Sequence, residues 1–439
     1  MTRRPKHHVI IVGGGIAGLL LATRLGRAEL ADVTLVDKAP SHVWKPMLHT
    51  FAAGTANAQQ RRIPFVTHGA QTGFRFLPGA LGEIDTDAQS VTVQPLLNPA
   101  GQVLLSERQH HYDTLVLAAG SKANDFDTPG VARHCLFIDD LTQAETFNQR
   151  LYEELLRMLD QGRPLRVAIV GGGATGVELA AEIARLLEVA RSYGIGDLRP
   201  QLDLMLLESG PRILAAFPEE VAQAATRQLR RIGVEVRENV RVAEADADGF
   251  ALEDGSRIDA TLRVWAAGVK ASEAVQTGNM FEHSPTGQII VRPTLQTTVR
   301  DDVFALGDCA SLTPAGAERP LPPTAQVARQ QALHLARQFP AFLDGRPPEP
   351  FQFQDQGKLV SLGHYNTFGT LGRDGLFKGG FIEGRLAQLG HALLYRLHQM
   401  ELHGPWRAAS LWLSDAFAAP VRPRIRVEQE ADTIMPSRH

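Results

Sequence analysis

The sequence predicts an α/β fold of two nested, doubly wound units followed by a helical C-terminal segment, and three observations carry that prediction. The first is a repeat: His8-Val9-Ile10-Ile11-Val12-Gly13-Gly14-Gly15 returns as Arg166-Val167-Ala168-Ile169-Val170-Gly171-Gly172-Gly173. The second is the pattern downstream of each copy. An apolar run of helical period comes first (Ile16 to Leu25, Ala174 to Val189), then a strand-like run ending in an acid, Asp37 or Glu208. The third is a change of character after Leu386, where Leu389, Leu393, Leu397 and Met400 recur three or four residues apart.

Each repeat opens with β-branched residues long enough for a strand buried on both faces. In the first unit, Ser90-Val91-Thr92-Val93 and Tyr112 to Gly120 read as strands that complete the sheet. Leu262 to Gly268 closes the second unit in the same way, and Val303 to Asp308 reads as a strand returning to the first sheet. The second unit is therefore inserted in the first, with residues 1–120 and 296–375 forming one domain, 121–295 the other and 376–439 the helical segment. Proline-rich stretches at 314–323 and 346–350 mark loops around the return. Gly404-Pro405 ends one C-terminal helix and opens another, the order expected of a helix end and a helix start.

Composition narrows the class. The 439 residues, 44% hydrophobic and 21% charged, describe a folded chain of several domains and not a disordered one. With 45 Lys and Arg against 48 Asp and Glu, no global basic field argues for nucleic acid as a partner. Two cysteines, Cys135 and Cys309, make neither a disulfide framework nor a Cys-x-x-Cys pair, and both read as small buried hydrophobes. The basic start followed by Val9 to Val12 superficially matches a secretory signal, but the glycine cluster interrupts it. No run of about 18 apolar residues argues for a spanning helix. The histidines 391, 398 and 403 lack metal-site spacing, so no metal is expected.

Gly13-Gly14-Gly15-Ile16-Ala17-Gly18 fits G-x-G-x-x-G in the context that motif needs: a strand before it, a helix after it and Asp37 about 20 residues on to bond a ribose hydroxyl. Its glycines allow a tight turn, close approach of the backbone to a pyrophosphate, and close helix packing. Gly171-Gly172-Gly173-Ala174-Thr175-Gly176 repeats the pattern, with Glu208 farther on because residues 191–201 lengthen the connection. An acid there accepts the 2′-hydroxyl of an adenosine ribose and repels a 2′-phosphate, which favours NADH over NADPH, although Arg212 nearby keeps NADPH open. Two Rossmann-like units in one chain suggest FAD in one and a nicotinamide in the other, placed for hydride passage: an oxidoreductase.

Leu306-Gly307-Asp308-Cys309-Ala310 matches the strand ending in Gly-Asp that approaches the flavin in the two-dinucleotide flavoprotein reductases, which this arrangement resembles. By that resemblance Asp308 bonds the flavin's ribityl chain; read locally, it is also a helix N-cap. Trp44-Lys45-Pro46-Met47-Leu48-His49, then Ala52-Ala53-Gly54-Thr55, Gly171 to Glu178, and Ala325-Gln326-Val327-Ala328-Arg329-Gln330 together resemble the bacterial type II NADH:quinone oxidoreductases over essentially the whole chain. The resemblance implies that Gln326 and Gln330 line a quinone site; four apart, they share one face of a helix and each can donate to a carbonyl. It implies catalysis for Glu178, which on local grounds serves the helix dipole in the first turn after the second glycine cluster. Lys45 is a candidate for the flavin or its phosphates, and Lys38, Gly120, Ala325 and Gly268 complete the candidate cofactor-binding set.

Trp406, Trp412 and the arginines 422, 424 and 426 give the last helices the features of an interfacial anchor, and the resemblance agrees. It implies a peripheral, monotopic enzyme on the cytoplasmic face of the bacterial inner membrane. The enzyme would oxidise NADH through FAD, reduce ubiquinone or menaquinone without pumping protons, and form a homodimer. A basic residue, Lys378 or Arg385, would close over the flavin. Two other readings remain: a reductase of a soluble protein such as ferredoxin, with the C-terminal helices as a dimer interface, and a nicotinamide-sensing module.

Overall fold

The computed structural model describes residues 6–192, 199–276, 280–363, 365–371, 381–418 and 421. The candidates Lys378 and the arginines 422, 424 and 426 lie outside the described residues, as does the side chain of Arg385. The chain divides into two compact units, Met1–Trp44 with Arg61–Lys122 and Val269–Gln354, and Lys45–Gln60 with Ala123–Gly268 and Asp355–His439.

In the first unit five parallel strands lie in the order Val303–Ala305, Thr114–Leu117, His8–Val12, Asp32–Asp37, Phe74–Pro78. Val9, Ile10 and Ile11 are fully buried, as a strand covered on both faces requires. The direction of winding reverses between His8–Val12 and Thr114–Leu117. The crevice beyond the carboxyl ends of two such strands is where open α/β sheets bind ligands. Gly13 and Gly120 both lie there. The helices Ile16–Arg27 and Ala325–Leu343 pack on each other in this unit.

Ser90–Val93 does not complete that sheet. It pairs antiparallel with Leu81–Asp85 and Arg108–His111 in a separate three-stranded sheet. The connection from Asp85 to Ser90 is too short for a crossover, and a parallel neighbour needs one. Phe74–Pro78, fed by the helix Phe65–Thr72, supplies the fifth parallel strand instead.

In the second unit four parallel strands run Val234–Arg237, Leu202–Leu207, Leu165–Val170, Leu262–Trp265, with the same reversal after Leu165–Val170. The helix Ala174–Ser192 follows the glycine turn. Helix Leu141–Gln161 starts at Asp140, whose carboxylate accepts the Gln143 N–H at 2.9 Å, and stops at Gly162 with φ 65°. An antiparallel sheet of Gly357–Ser361, Thr367–Leu371 and Phe381–Glu383 packs with helix Arg385–His403. Gly404, at φ 82°, separates that helix from Pro405–Ala418. Among the described residues no helix is long and apolar enough to cross a membrane.

Candidate active site

The first glycine turn assigns a different job to each glycine. Gly13 has φ 103°, and a Cβ there would stand 2.3 Å from the Ala118 carbonyl oxygen, so the tight turn admits no side chain. A Cβ on Gly18 would stand 1.9 Å from the Gly13 oxygen, which is the helix-packing role. At Gly15, the residue before the helix, a Cβ would meet nothing within 4 Å: the turn is open on that side. At Gly14 a Cβ would fall 2.2 Å from Cζ of Phe65, so the turn packs on that ring with no room for a side chain.

Asp37 braces this turn. Its Oδ2 accepts the Gly14 N–H at 2.5 Å and its Oδ1 that of Ala39 at 2.7 Å. Burial pushes its carboxyl up while these two donors work the other way. A carboxylate offers about four lone-pair sites, so capacity for a ribose hydroxyl remains. Behind the turn, buried His42 bonds the Gly14 carbonyl oxygen through Nδ1 at 2.9 Å. Burial lowers its pKa to about 4, so the ring is neutral at pH 7.

Asp308 occupies a short turn, Gly307–Cys309, whose cap is Leu306 and after which a strand follows; the helix N-cap expected on local grounds is not formed. Its Oδ2 accepts from Ser121 Oγ at 2.8 Å, its carbonyl from Gln288 Nε2 at 2.9 Å. The preceding Gly307 N–H donates to Oε1 of the buried Gln331 at 2.7 Å. Gly120, at φ 70°, opens onto free space like Gly15, and Lys38 is exposed.

Thr324 caps the helix that begins at Ala325, accepting from Val327 N. Gln326 and Gln330 both lie on this helix, Gln326 partly exposed. The amide of Gln330 is already paired at both ends with Gln354: Nε2 donates to its carbonyl at 2.8 Å and Oε1 accepts its N–H at 3.0 Å. Gln331, one residue on, is the buried glutamine of the element. No local motif singles it out, and its adjacency to Gly-Asp appears only in three dimensions.

The second turn repeats the first. Gly171 has φ 112° and no room for a Cβ beside Ala266, Gly173 opens on nothing within 4 Å, and Gly176 packs 2.1 Å (as Cβ) from the Gly171 oxygen. Glu208 takes the place of Asp37, accepting from Gly172 N and Gly210 N at 2.7 Å each. Arg212, which kept NADPH open, is occupied: its guanidinium donates to the carbonyls of Leu214, Ala215 and Phe217 at 3.0–3.3 Å. Gly268, at φ 60°, packs against Phe126. Lys45, partly exposed in the turn Lys45–Met47, belongs to this second unit.

Glu178 is not in the first turn of its helix, which holds no acid. It lies past it and is buried, so the helix dipole does not account for it. Oε1 accepts the N–H of Ser361 at 3.0 Å, and Oε2 lies 3.3 Å from Nδ1 of buried His49. Burial pushes its pKa up to about 8, the Ser361 N–H lowering it and Glu182 raising it further. The thiols of Cys135 and Cys309 are free and buried, and burial pushes them up to about 12 and about 11.

The last helices turn part of the expected pattern inside out. Leu389, Leu393 and Leu394 are exposed, while His398, Gln399 and Glu401 are buried. Trp406 is 86% exposed and Phe417 76%. Trp412 is not part of that surface: its Nε1 donates to Gln399 Oε1 at 3.2 Å and its ring lies 5.8 Å from the Arg396 guanidinium. Arg396 ties the two helices together through Asp415 at 2.8 Å.

Residues 7–332 match the model of the pyridine nucleotide-disulphide oxidoreductase family. The type II NADH:quinone oxidoreductase of Haemophilus influenzae is 37% identical over 96% of this chain and 99% of its own. That of Staphylococcus saprophyticus is 28% identical over 84% and 91%. The structure of NDH2 from Plasmodium falciparum in complex with NADH superposes with a TM-score of 0.81 at 18% identity, covering 96% of this chain and all of that one. The chain belongs to the pyridine nucleotide-disulphide oxidoreductase family and, within it, to the type II NADH:quinone oxidoreductases.

Proposed function

We propose that the chain's two units divide NADH oxidation and quinone reduction between them, the balance being NADH + H⁺ + quinone → NAD⁺ + quinol. The observation that carries this reading is the pair of glycine turns, each with one glycine open to space, one packed under its helix and an acid bracing the turn. FAD fits the first turn by that test. Gly15 and Gly120 leave room against two backbone segments at the reversal of the sheet, and an adjacent helix N-terminus favours phosphate. The chemistry that FAD supplies when bound is two-electron redox between nicotinamide and quinone.

On this reading residues 1–120 and 296–375 bind FAD. Gly13, Gly15 and Gly18 shape the pyrophosphate cradle, Asp37 and Asp308 accept from hydroxyls, and Lys38, Gly120 and Ala325 line the rest. Residues 121–295 bind NADH against Gly171, Gly173, Gly176 and Gly268. There Glu208 accepts a ribose hydroxyl, and Arg212, held on carbonyls, is not turned toward a 2′-phosphate. Gln326 donates to a quinone carbonyl; Gln330 joins it only by giving up Gln354. Glu178, kept protonated near neutral pH by burial, holds a proton.

Residues 376–439 lay their exposed leucines, Trp406 and Phe417 on the cytoplasmic face of the inner membrane, where ubiquinone or menaquinone is dissolved. The reaction is then not coupled to proton pumping, and a homodimer is compatible with it. The test is anaerobic: NADH bleaches the flavin band of the purified protein and a soluble quinone restores it. Bleaching without recovery moves the acceptor to a soluble protein, and a protein without flavin overturns the assignment of the first turn.

A further inference from the structure

We propose that Glu178 and His49 form one proton-sharing dyad in which His49 is the positioning residue that fixes where the Glu178 proton sits. The inference rests on the reading of Glu178 as a proton-holding carboxylate and adds the group through which it acts.

His49 stands on the short helix Leu48–Ala52, which packs against the Glu178 helix, and both side chains are buried. A backbone N–H can only donate, so Oε1, facing Ser361 N at 3.0 Å, must accept. The carboxyl proton therefore belongs on Oε2, which faces His49 Nδ1 at 3.3 Å. Two lone pairs cannot face each other across that gap without cost, so a hydrogen lies on this line in either charge state. With the proton on Oε2, Nδ1 accepts and the ring hydrogen is on Nε2; with Glu178 ionised, Nδ1 carries the hydrogen and donates. A proton arriving at Nε2 of the second state lets the Nδ1 hydrogen pass to Oε2. One N–H forms, one N–H breaks and one O–H forms; the pair gains one proton and no electrons move.

The surroundings leave this pairing distinct. Glu182, one turn along and also buried, has its own partners: Thr55 Oγ1 donates to it at 2.5 Å and Arg185 Nη1 lies at 3.3 Å. From the strand Gly357–Ser361, Lys358 is bonded to the Ala216 carbonyl at 3.0 Å. Helix Leu141–Gln161 contributes the neutral Asn148, donating to the Ala52 carbonyl. On the packed helix Glu219–Arg231, Arg230 donates to the Val236 carbonyl. Among the described residues, the ion-pair partner of Glu178 is His49, at 3.3 Å.

The test uses the full-length, flavin-loaded protein. The infrared difference between wild type and Glu178→Gln isolates the Glu178 acid carbonyl band, whose pH titration should show two steps because the pair is coupled. In His49→Gln, which keeps a donor but cannot gain a proton, the band should titrate in one step. Turnover with a soluble quinone should fall about tenfold or more, with KM for NADH within about twofold. Identical band titrations in wild type and His49→Gln overturn the dyad. Should His49→Gln not fold, ¹⁵N-histidine spectra decide: one ring must change tautomer with pH in wild type and not in Glu178→Gln, and its absence from the difference overturns the dyad. Full turnover in Glu178→Gln removes the catalytic reading of Glu178 while leaving the dyad to stand or fall on the spectra.

Discussion

The two glycine turns, Gly13 to Gly18 and Gly171 to Gly176, are alike where a ligand would meet them and unlike behind. In both, the first glycine is folded tight on the strand across the reversal, the third opens outward and the last packs under the helix. In both, an acid at the end of the next strand takes the N–H of the middle glycine. The middle glycine's carbonyl, however, is held by the His42 ring in the first turn and by the Leu214 N–H, at 2.7 Å, in the second. A Cβ on Gly14 would strike the Phe65 ring, and one on Gly172 would strike Glu208 and Ile213. The face toward the ligand is set by a shared requirement, and the rear by whatever element each unit happened to place there.

That contrast can be broken most forcefully at the glycines. Gly13→Ala and Gly171→Ala combine a left-handed backbone with a backbone clash. Each should cost about 4 kcal/mol or more, read as a fall in thermal midpoint or as loss of soluble protein. Gly15→Ala and Gly173→Ala, by contrast, should fold with melting little changed, the first losing retained flavin and the second raising KM for NADH. Equal melting of all four variants would dissolve the division of labour among the glycines.

The rear of the first turn predicts a pH dependence that the second lacks. His42 binds its proton less readily folded, at about 4, than at the ordinary 6.5. Between these values the unfolded chain holds more protons, so stability is fully present above 6.5 and is lost as pH falls toward 4, by about 3 kcal/mol in all. Flavin release on heating should show this slope in wild type, and His42→Gln should flatten it.

Smaller effects sharpen the comparison of the acids. Glu208→Ala leaves Gly172 N–H without its acceptor and should raise KM for NADH about tenfold, at about 1–2 kcal/mol. It should not by itself make NADPH a good substrate, because Arg212 stays on the Leu214, Ala215 and Phe217 carbonyls. Efficient NADPH use by Glu208→Ala would show that Arg212 leaves those carbonyls easily. Smallest is Gln330→Ala. If Gln330 chiefly fastens Gln354, the variant should change KM for quinone less than Gln326→Ala does, measured side by side.

Local pattern carried far in this chain. The strands Val9 to Val12 and Val167 to Val170, their glycine turns and the acids Asp37 and Glu208 are contiguous motifs, and short-range sterics determine them. The pairing of Ser90–Val93 was not legible, because a β-rich run looks the same in a parallel sheet and in a hairpin; only the length of the link to Leu81–Asp85 decides. Nor was the burial of Glu178: its partners, His49 and Ser361, lie 129 and 183 residues away in sequence. The fastening of Gln330 by Gln354 and of Arg212 by its own loop likewise depends on where backbone carbonyls arrive in space. The Leu389 to Met400 stripe was legible as a stripe, but periodicity cannot say whether it faces a core or the outside.

The division of labour between the two units is tested most directly by anaerobic stopped-flow of both half-reactions in Glu208→Ala and Gln326→Ala. Glu208→Ala should slow or weaken only the NADH-driven bleaching of the flavin band, and Gln326→Ala should impair only its recovery with quinone. Equal losses in both half-reactions for either variant would contradict that division.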